Sequence, residues 1–262
     1  MNKALFWREM RGSLGLLVIF GGVLTLYIVM IAGLYDKETQ QALQQFYDMM
    51  PQLMAAVGMN GEGDTLLSFL STYLYGMLLL AFPMVYAILR ARGLVARYVE
   101  KGSMYALCAA PVSRLSLAGT QLAVLVSTQF GLLLYCTVLE IVSCQVLFPG
   151  ELDIKGLLCL NGGLLCLHLC LGAFCFLVSC LGEGSRCTAL MAGVPTLMLV
   201  MQMLANLGGK LEKFQYVTLF SLFQPEKLMA GEGLFAAGML LLLAVLFSAL
   251  ALWGFCRRDL YI

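Results

Sequence analysis

Charged residues are scarce in this sequence of 262 residues. Asp, Glu, Lys and Arg together account for 12% of it and hydrophobic residues for 61%, whereas soluble domains have about 25% charged and about 45–50% apolar residues. This composition excludes an ordinary soluble enzyme. The net charge is only +1, which argues against a nucleic-acid-binding protein, because such a protein needs an excess of Lys and Arg to contact phosphates.

Metal ligands are scarce as well. The sequence has one histidine, His168, and none of its ten cysteines forms a Cys-x-x-Cys pair. Cys159, Cys166 and Cys170 share one face of a helix, but His168 points away from that face, so we expect no metal site. Most cysteines lie in apolar runs and are predicted to be reduced packing residues.

Six long runs, uncharged except for Glu140, predict six transmembrane helices. Each is long enough to cross a bilayer, which takes about 20 residues. The first run exceeds the roughly 7–15 residues of a signal-peptide core, so we expect it to be a retained span. The predicted fold is an all-α single membrane domain over residues 1–262, with spans at about 13–35, 66–89, 116–147, 156–181, 188–207 and 234–255.

The placement of Lys and Arg predicts the orientation of the spans. Eleven of these residues lie in the N-terminal segment, in the loops after the second and fourth spans, and in the C-terminal segment. The other loops carry five, together with ten of the fifteen acidic residues. Because an excess of Lys and Arg marks cytoplasmic loops, we expect both termini in the cytosol.

The segment before the first span has the composition of a short helix lying at the membrane surface. Phe6 and Trp7 are followed by Arg8, Glu9 and Arg11. This order lets the aromatic rings lie among the lipid headgroups while the charges face water. A plain basic flank of the first span explains the same residues and remains the alternative.

The loop between the second and third predicted spans has the pattern of a second short amphipathic helix. Val95, Val99 and Leu107 fit one apolar stripe at helical spacing. Pro111 is expected to end this helix, and Ser113 to cap the third span. Such a helix can dock a soluble partner, whereas an ordinary solvated loop is the alternative.

Three segments resemble the type 2 ATP-binding-cassette permease family, the membrane subunits of many bacterial export systems. The loop reads EKGS, then a leucine, then PVSR, which is similar to that family's E-x-G-[ST]…L…P-[VI]-[ST]-R coupling segment. The opening LFWREMR is similar to its F-x-x-E-x-R start, and FCRRD near the C-terminus to its F-x-R-R-D ending. The candidate coupling residues are Arg97, Glu100, Lys101, Gly102, Ser103, Leu107, Pro111, Ser113 and Arg114.

The resemblance implies partners and a function. In that family the interfacial and coupling helices rest on a separate ATPase subunit, which binds ATP and Mg²⁺. Two permease subunits, identical or different, enclose the substrate route, and re-entrant helices lie between the fifth and sixth spans. The implied function is ATP-driven export across the bacterial plasma membrane. This chain has no G-x-x-x-x-G-K-[ST] loop, so we expect it to be no enzyme and to hold no cofactor of its own.

Glu140 is the one acidic residue within a predicted span, and such residues are candidates for function because their burial is unfavourable. It shares a polar face with Gln129 and Thr137, and Gln202 and Asn206 share one on the fifth span. All five are candidates for a translocation path. Two alternatives for Glu140 stay open: a hydrogen bond that ties two helices together, or hydration near the external surface.

Two other functions fit the sequence less well. An intramembrane protease or a lipid-headgroup transferase needs a Ser–His pair, an H-E-x-x-H helix or clustered Asp residues, which one histidine and one buried glutamate do not supply. An ATP-independent secondary transporter or channel is expected to have corresponding broken helices in its two halves. Pro83 and Pro195 are a weak indication of such breaks.

Overall fold

The computed structural model describes residues 2–36, 48–58, 65–104, 112–182 and 184–257, together with residues 42 and 45. These residues are largely helical and contain no strand. Six of the described helical segments are long and apolar enough to cross a membrane. The prediction of an all-α protein with six such helices is therefore confirmed.

The helices are named here in chain order. Their bounds are α1 Lys3–Gly33, α2 Pro51–Ala56, α3 Leu66–Tyr73, α4 Leu78–Ala91, α5 Arg97–Glu100, α6 Arg114–Leu147, α7 Ile154–Leu181, α8 Gly184–Ala205, α9 Pro225–Met229 and α10 Leu234–Arg257. A π-helical turn, Arg92–Ala96, joins α4 to α5, and two 3₁₀ helices, Gly209–Val217 and Leu219–Leu222, precede α9.

α1 differs from the predicted surface helix followed by a separate span. It begins after Asn2, whose side-chain oxygen accepts hydrogen bonds from the N–H groups of Ala4 and Leu5 at 3.1 and 3.2 Å. It then runs without a break to Gly33. No proline interrupts it, and a helix entering lipid keeps its backbone groups bonded to one another. The residues predicted to lie flat form the first turns of this continuous helix.

The second predicted span, 66–89, is broken. α3 ends at Tyr73 and α4 begins at Leu78, so the helical segment that is long and apolar enough to cross a membrane is Leu78–Glu100. Gly76 lies in the break, where an added Cβ would come within 2.7 Å of the Val57 carbonyl oxygen and 2.8 Å of that of Thr72. Backbone approaches this close leave no room for a side chain.

His168 compensates for the proline inside α4. Pro83 has no N–H group, so it cannot bond to the Leu79 carbonyl four residues earlier. The Nε2 atom of His168 lies 2.8 Å from that carbonyl oxygen, and the side chain is fully buried. The single histidine of the chain therefore satisfies a backbone group that Pro83 frees.

α7 is the central helix of the bundle. It packs against α4, α6, α8, α9 and α10, whereas α1 packs mainly against α6. The outer faces of α1 and α10 carry exposed apolar side chains such as Val18, Phe235 and Leu242. Such faces are expected where a helix meets lipid or another membrane-embedded chain.

The two ends of the bundle are formed by different segments of the chain. One end carries Arg8, Arg92 and Arg97 and is called here the basic end. At this end the N–H of Asn2 donates to Thr120 Oγ1 at 3.0 Å, and Gly254 packs against Leu181. At the opposite end the ring of Tyr35 lies 5.4 Å from that of Phe69. The segment predicted to form re-entrant helices lies there as short helices between 209 and 229, and their depth in a membrane stays a prediction.

Candidate functional site

Glu9 is the centre of a charged cluster at the basic end. Its carboxylate accepts hydrogen bonds from the hydroxyl of Tyr98 at 2.6 Å and from Arg8 at 3.0 Å. Arg90 donates to the backbone oxygen of Glu9 at 2.7 Å and lies 3.8 Å from its carboxylate. Glu9 and Arg90 are both buried. Removing one partner from a buried ion pair costs about 3–5 kcal/mol, because the other charge is left uncompensated.

The other predicted interfacial residues lie on the same first turns of α1. Phe6 is half-buried, and its ring lies 6.3 Å from that of Trp7, which is exposed. Arg11 is exposed. The guanidinium of Arg8 lies 5.8 Å from the centre of the Tyr98 ring, within the range of a cation–π contact. The first turns of α1 are thus fixed to the segment that follows α4.

The first half of the predicted coupling segment follows directly on this cluster. Arg97, Glu100 and Lys101 are exposed. Gly102 has a φ of +67°, a conformation that favours glycine. The hydroxyl of Ser103 donates to the backbone oxygen of Tyr98 at 3.4 Å. The chain therefore ends α5 in a tight turn, with its charged side chains facing outward.

The second half of the segment is described only from residue 112. Ser113 caps α6 as predicted, since its hydroxyl accepts a hydrogen bond from the N–H of Ser116 at 3.3 Å. Arg114 is the first residue of α6 and is exposed. Leu107 and Pro111 lie outside the described residues.

Glu140 is the centre of a second buried cluster, in the interior of the bundle. Its Oε2 atom accepts hydrogen bonds from the Tyr75 hydroxyl and from the Asn161 side-chain amide, both at 2.8 Å. Tyr75 comes from the break between α3 and α4, and Asn161 from α7. Both donors are neutral, and Glu140 is fully buried. The contacts tie three parts of the chain together, so the structure favours the helix-tying role among the alternatives for Glu140.

Gln129 and Thr137 also make contacts inside the chain. Gln129 donates to the backbone oxygen of His168 at 2.8 Å, and Thr137 donates to that of Leu133 at 2.9 Å. Both side chains are buried. The polar face predicted on α6 therefore packs within the bundle, and its part in a translocation path stays a prediction.

Gln202 and Asn206 lie elsewhere, on a cavity of about 290 Å³ near the opposite end. Gln202 donates to Asn206 at 3.1 Å and accepts a hydrogen bond from the Thr218 hydroxyl at 2.6 Å. Tyr75 also lines this cavity, and its hydroxyl donates a hydrogen bond to Glu140, which is not part of the lining. The other polar lining side chains are Ser68, Ser71, Thr72 and Glu226.

Comparison of the chain with protein-family models, curated proteins and solved structures finds no match. Among the described residues, no group of three or more His, Cys, Asp or Glu side chains is placed to hold a metal ion.

Four residues of these clusters were not singled out from the sequence. Arg90 and Tyr98 looked like ordinary members of a charged loop, and Tyr75 like an aromatic residue in a span. Asn161 carried a usable signal, because it is the one asparagine in the fourth apolar run. A buried glutamate needs donors, and such an amide is a natural candidate.

Proposed function

We propose that this chain is the transmembrane permease subunit of an export-type ATP-binding-cassette transporter in the bacterial plasma membrane. A separate ATPase subunit binds ATP and Mg²⁺ and supplies the energy. A second permease subunit, either another copy of this chain or a different one, completes the substrate route.

The contact between Glu9 and Tyr98 carries the proposal. The opening segment and the coupling segment resemble the same family on independent residues, and they are about ninety positions apart in the chain. In the fold they meet through Glu9, Arg90 and Tyr98. The two segments thus form one surface unit, as a docking platform for a single soluble partner requires.

The two ends of the bundle then have different roles. The basic end, with Arg8, Arg92 and Arg97, faces the cytosol and the ATPase, in keeping with the excess of Lys and Arg in its segments. The cavity that contains Gln202 and Asn206 lies at the opposite end and forms the outer part of the route. The short helices at 209–229 close this part of the molecule toward the outside.

An ATP-independent secondary transporter is the second candidate, because one observation favours it. The break between α3 and α4 places Tyr75 against the buried Glu140, and broken helices beside an acidic residue are typical of ion-coupled transporters. The corresponding helix of the second half, α8, continues through Pro195 without a break. Since such transporters have breaks in both halves, the ATPase-driven function is favoured.

The test is to purify the tagged full-length chain from its native membranes in mild detergent. We expect an ATPase with a phosphate-binding loop to co-purify and to hydrolyse ATP. Glu100→Arg should reduce the amount of bound ATPase about tenfold, because the reversed charge would repel the group on the ATPase that the carboxylate attracts. Lys213→Glu, an exposed reversal at the opposite end, is the control and should have no effect.

A second control separates docking from folding. Glu100 forms an ion pair with Arg92 at 3.5 Å, which Glu100→Arg would also disrupt. The double variant Arg92→Glu/Glu100→Arg restores a pair within the chain while the docking surface stays changed. It should remain defective. Normal ATPase binding by both variants, or transport by the purified chain without an ATPase, would refute the proposal.

A further inference from the structure

The helical segment that leads from α4 to the coupling segment contains one extra residue. Arg92–Ala96 forms a π-turn, in which an N–H group bonds to the carbonyl five residues back instead of four. The N–H of Arg97 bonds in this way to the carbonyl of Arg92. A turn of this kind widens the helix and interrupts its regular ladder of hydrogen bonds.

The side chain of Ser179, on α7, fills the widened turn. Its hydroxyl accepts a hydrogen bond from the N–H of Ala96 at 3.0 Å and donates one to the carbonyl of Ala91 at 3.1 Å. Those are the two backbone groups on either side of the turn. Ser179 is fully buried, so water cannot reach them in its place. One hydroxyl can both donate and accept, and here it satisfies both groups.

The extra residue determines which side chains share a face. Arg90 and Tyr98 are eight positions apart, which on a regular α-helix places them about 80° apart around the axis, at roughly 100° per residue. With one residue absorbed by the turn they behave like positions seven apart, within about 20° of alignment. Both contact Glu9.

A second pair has the same spacing. Arg92 and Glu100 are also eight positions apart, and their side chains form an ion pair at 3.5 Å. If the same residues formed a regular α-helix without the π-turn, this pair would also be rotated about 80° out of line. The π-turn therefore sets the rotation of α5 relative to both α4 and α1.

We propose that Ser179 is a positioning residue, whose hydroxyl holds the π-turn and so determines the face that residues 97–104 present at the basic end. This inference deepens the proposed function, because those residues include Glu100 of the docking surface. Its structural part does not depend on that function. The residue acts through α5 and makes no contact with a docked partner.

The first test measures the rotation of α5 directly. Single cysteines are placed at positions 97, 98, 99 and 100 of a cysteine-free full-length chain and labelled with a water-soluble maleimide. We expect fastest labelling at 97 and 100, which are the exposed positions. In Ser179→Ala the π-turn should revert to α-helix and turn α5 by about 100°, which moves the labelling pattern by one residue.

Three further variants keep this test decisive. Ser179→Thr retains the hydroxyl and should retain the original labelling pattern. Deleting Gly93 removes the extra residue, so a regular α-helix then places Arg90 and Tyr98 seven positions apart and should keep the original pattern. The same deletion combined with Ser179→Ala should restore that pattern, because no turn is left for the hydroxyl to hold. An unchanged pattern in Ser179→Ala, or a pattern that the Gly93 deletion fails to restore in the double variant, would overturn the proposal. A loss of thermal stability alone would mean that the hydroxyl is only structural.

A second measurement tests the link to Glu9. Tyr98→Phe should lower the melting temperature of the purified chain, because it removes a hydrogen bond to a buried carboxylate. In a Ser179→Ala background the same change should have almost no effect, since Tyr98 has already turned away. Additive effects would contradict the proposal. None of these readouts uses an ATPase, so failure to find an ATPase partner would refute the proposed function and leave this inference to be decided by labelling.

Discussion

Two glutamates among the residues that the structure describes are buried, in chemically different surroundings. Glu9 lies among Arg8, Arg90 and Tyr98, so cationic donors balance its charge. Glu140 has only the neutral donors of Tyr75 and Asn161. The first arrangement is an ion pair at the end of the bundle, and the second is a hydrogen-bonded junction in its interior.

Changing Glu9 should be far more damaging than changing its exposed partner. Glu9→Gln leaves the buried guanidinium of Arg90 without a counter-charge, so we expect a loss of about 3–5 kcal/mol in the free energy of unfolding. Arg8→Gln removes only an exposed cation, and such pairs contribute about 0.2–1 kcal/mol. Thermal unfolding in detergent measures both. Equal losses for the two variants would show that Glu9 is not the centre of the cluster.

The junction at Glu140 should depend on hydrogen bonding more than on charge. Glu140→Leu leaves the Tyr75 hydroxyl and the Asn161 amide without an acceptor, and we expect a loss of about 1–3 kcal/mol. Glu140→Gln keeps an oxygen that can accept from both, so its loss should stay below about 1 kcal/mol. The same unfolding measurement compares them. If Gln were as damaging as Leu, the carboxylate charge would have to matter in itself.

The break between α3 and α4 is the main feature at the level of elements. It brings Tyr75 to Glu140 and lets Tyr75 line the cavity on its other side. A continuous helix over 66–89 would place this side chain differently. The close approach of the Val57 and Thr72 carbonyls to Gly76 fixes the break.

Gly76→Ala should therefore disturb the break. The added methyl group would overlap two backbone oxygens that cannot move as a side chain end can, and we expect a loss of about 1–3 kcal/mol on unfolding. Gly238→Ala is the matched control, because nothing lies within 4 Å of its added Cβ. In a helix this change should stabilise by about 0.5–1 kcal/mol. A silent Gly76→Ala would mean that the backbone at the break can relax.

The apolar runs were sufficient to predict six helices that are long and apolar enough to cross a membrane, because a span takes about twenty largely uncharged residues whatever its neighbours are. They could not predict the break, since residues 66–89 read as one continuous apolar run. The π-turn left no sequence signal either, because the hydroxyl that fills it comes from Ser179, far along the chain. The partners of Glu140 likewise depend on how α7 packs against α6.

At the scale of the whole molecule, Lys and Arg are concentrated at one end and a polar cavity lies near the other. The outer faces of α1, α6 and α10 are apolar and exposed in the single chain. They leave ample surface for lipid and for the second permease subunit of the proposed assembly. The orientation of the two ends in the membrane is a prediction from the charge distribution.

Labelling of intact cells tests that orientation. In a cysteine-free chain, a cysteine at position 48 should react with a membrane-impermeant maleimide from outside. A cysteine at position 101 should react only after the cells are opened, because positive loops stay in the cytosol. Labelling of position 101 in intact cells would show that the orientation is the reverse of the predicted one and that the proposed docking surface faces the outside of the cell.

The mass of the intact complex tests the central claim most directly. Native mass spectrometry of the transporter released from native membranes should find two permease subunits, at least one of them this chain, and two ATPase subunits. That complex should hydrolyse ATP, and the isolated chain should not. A permease chain that is monomeric, carries no ATPase and moves its substrate without ATP would contradict the account.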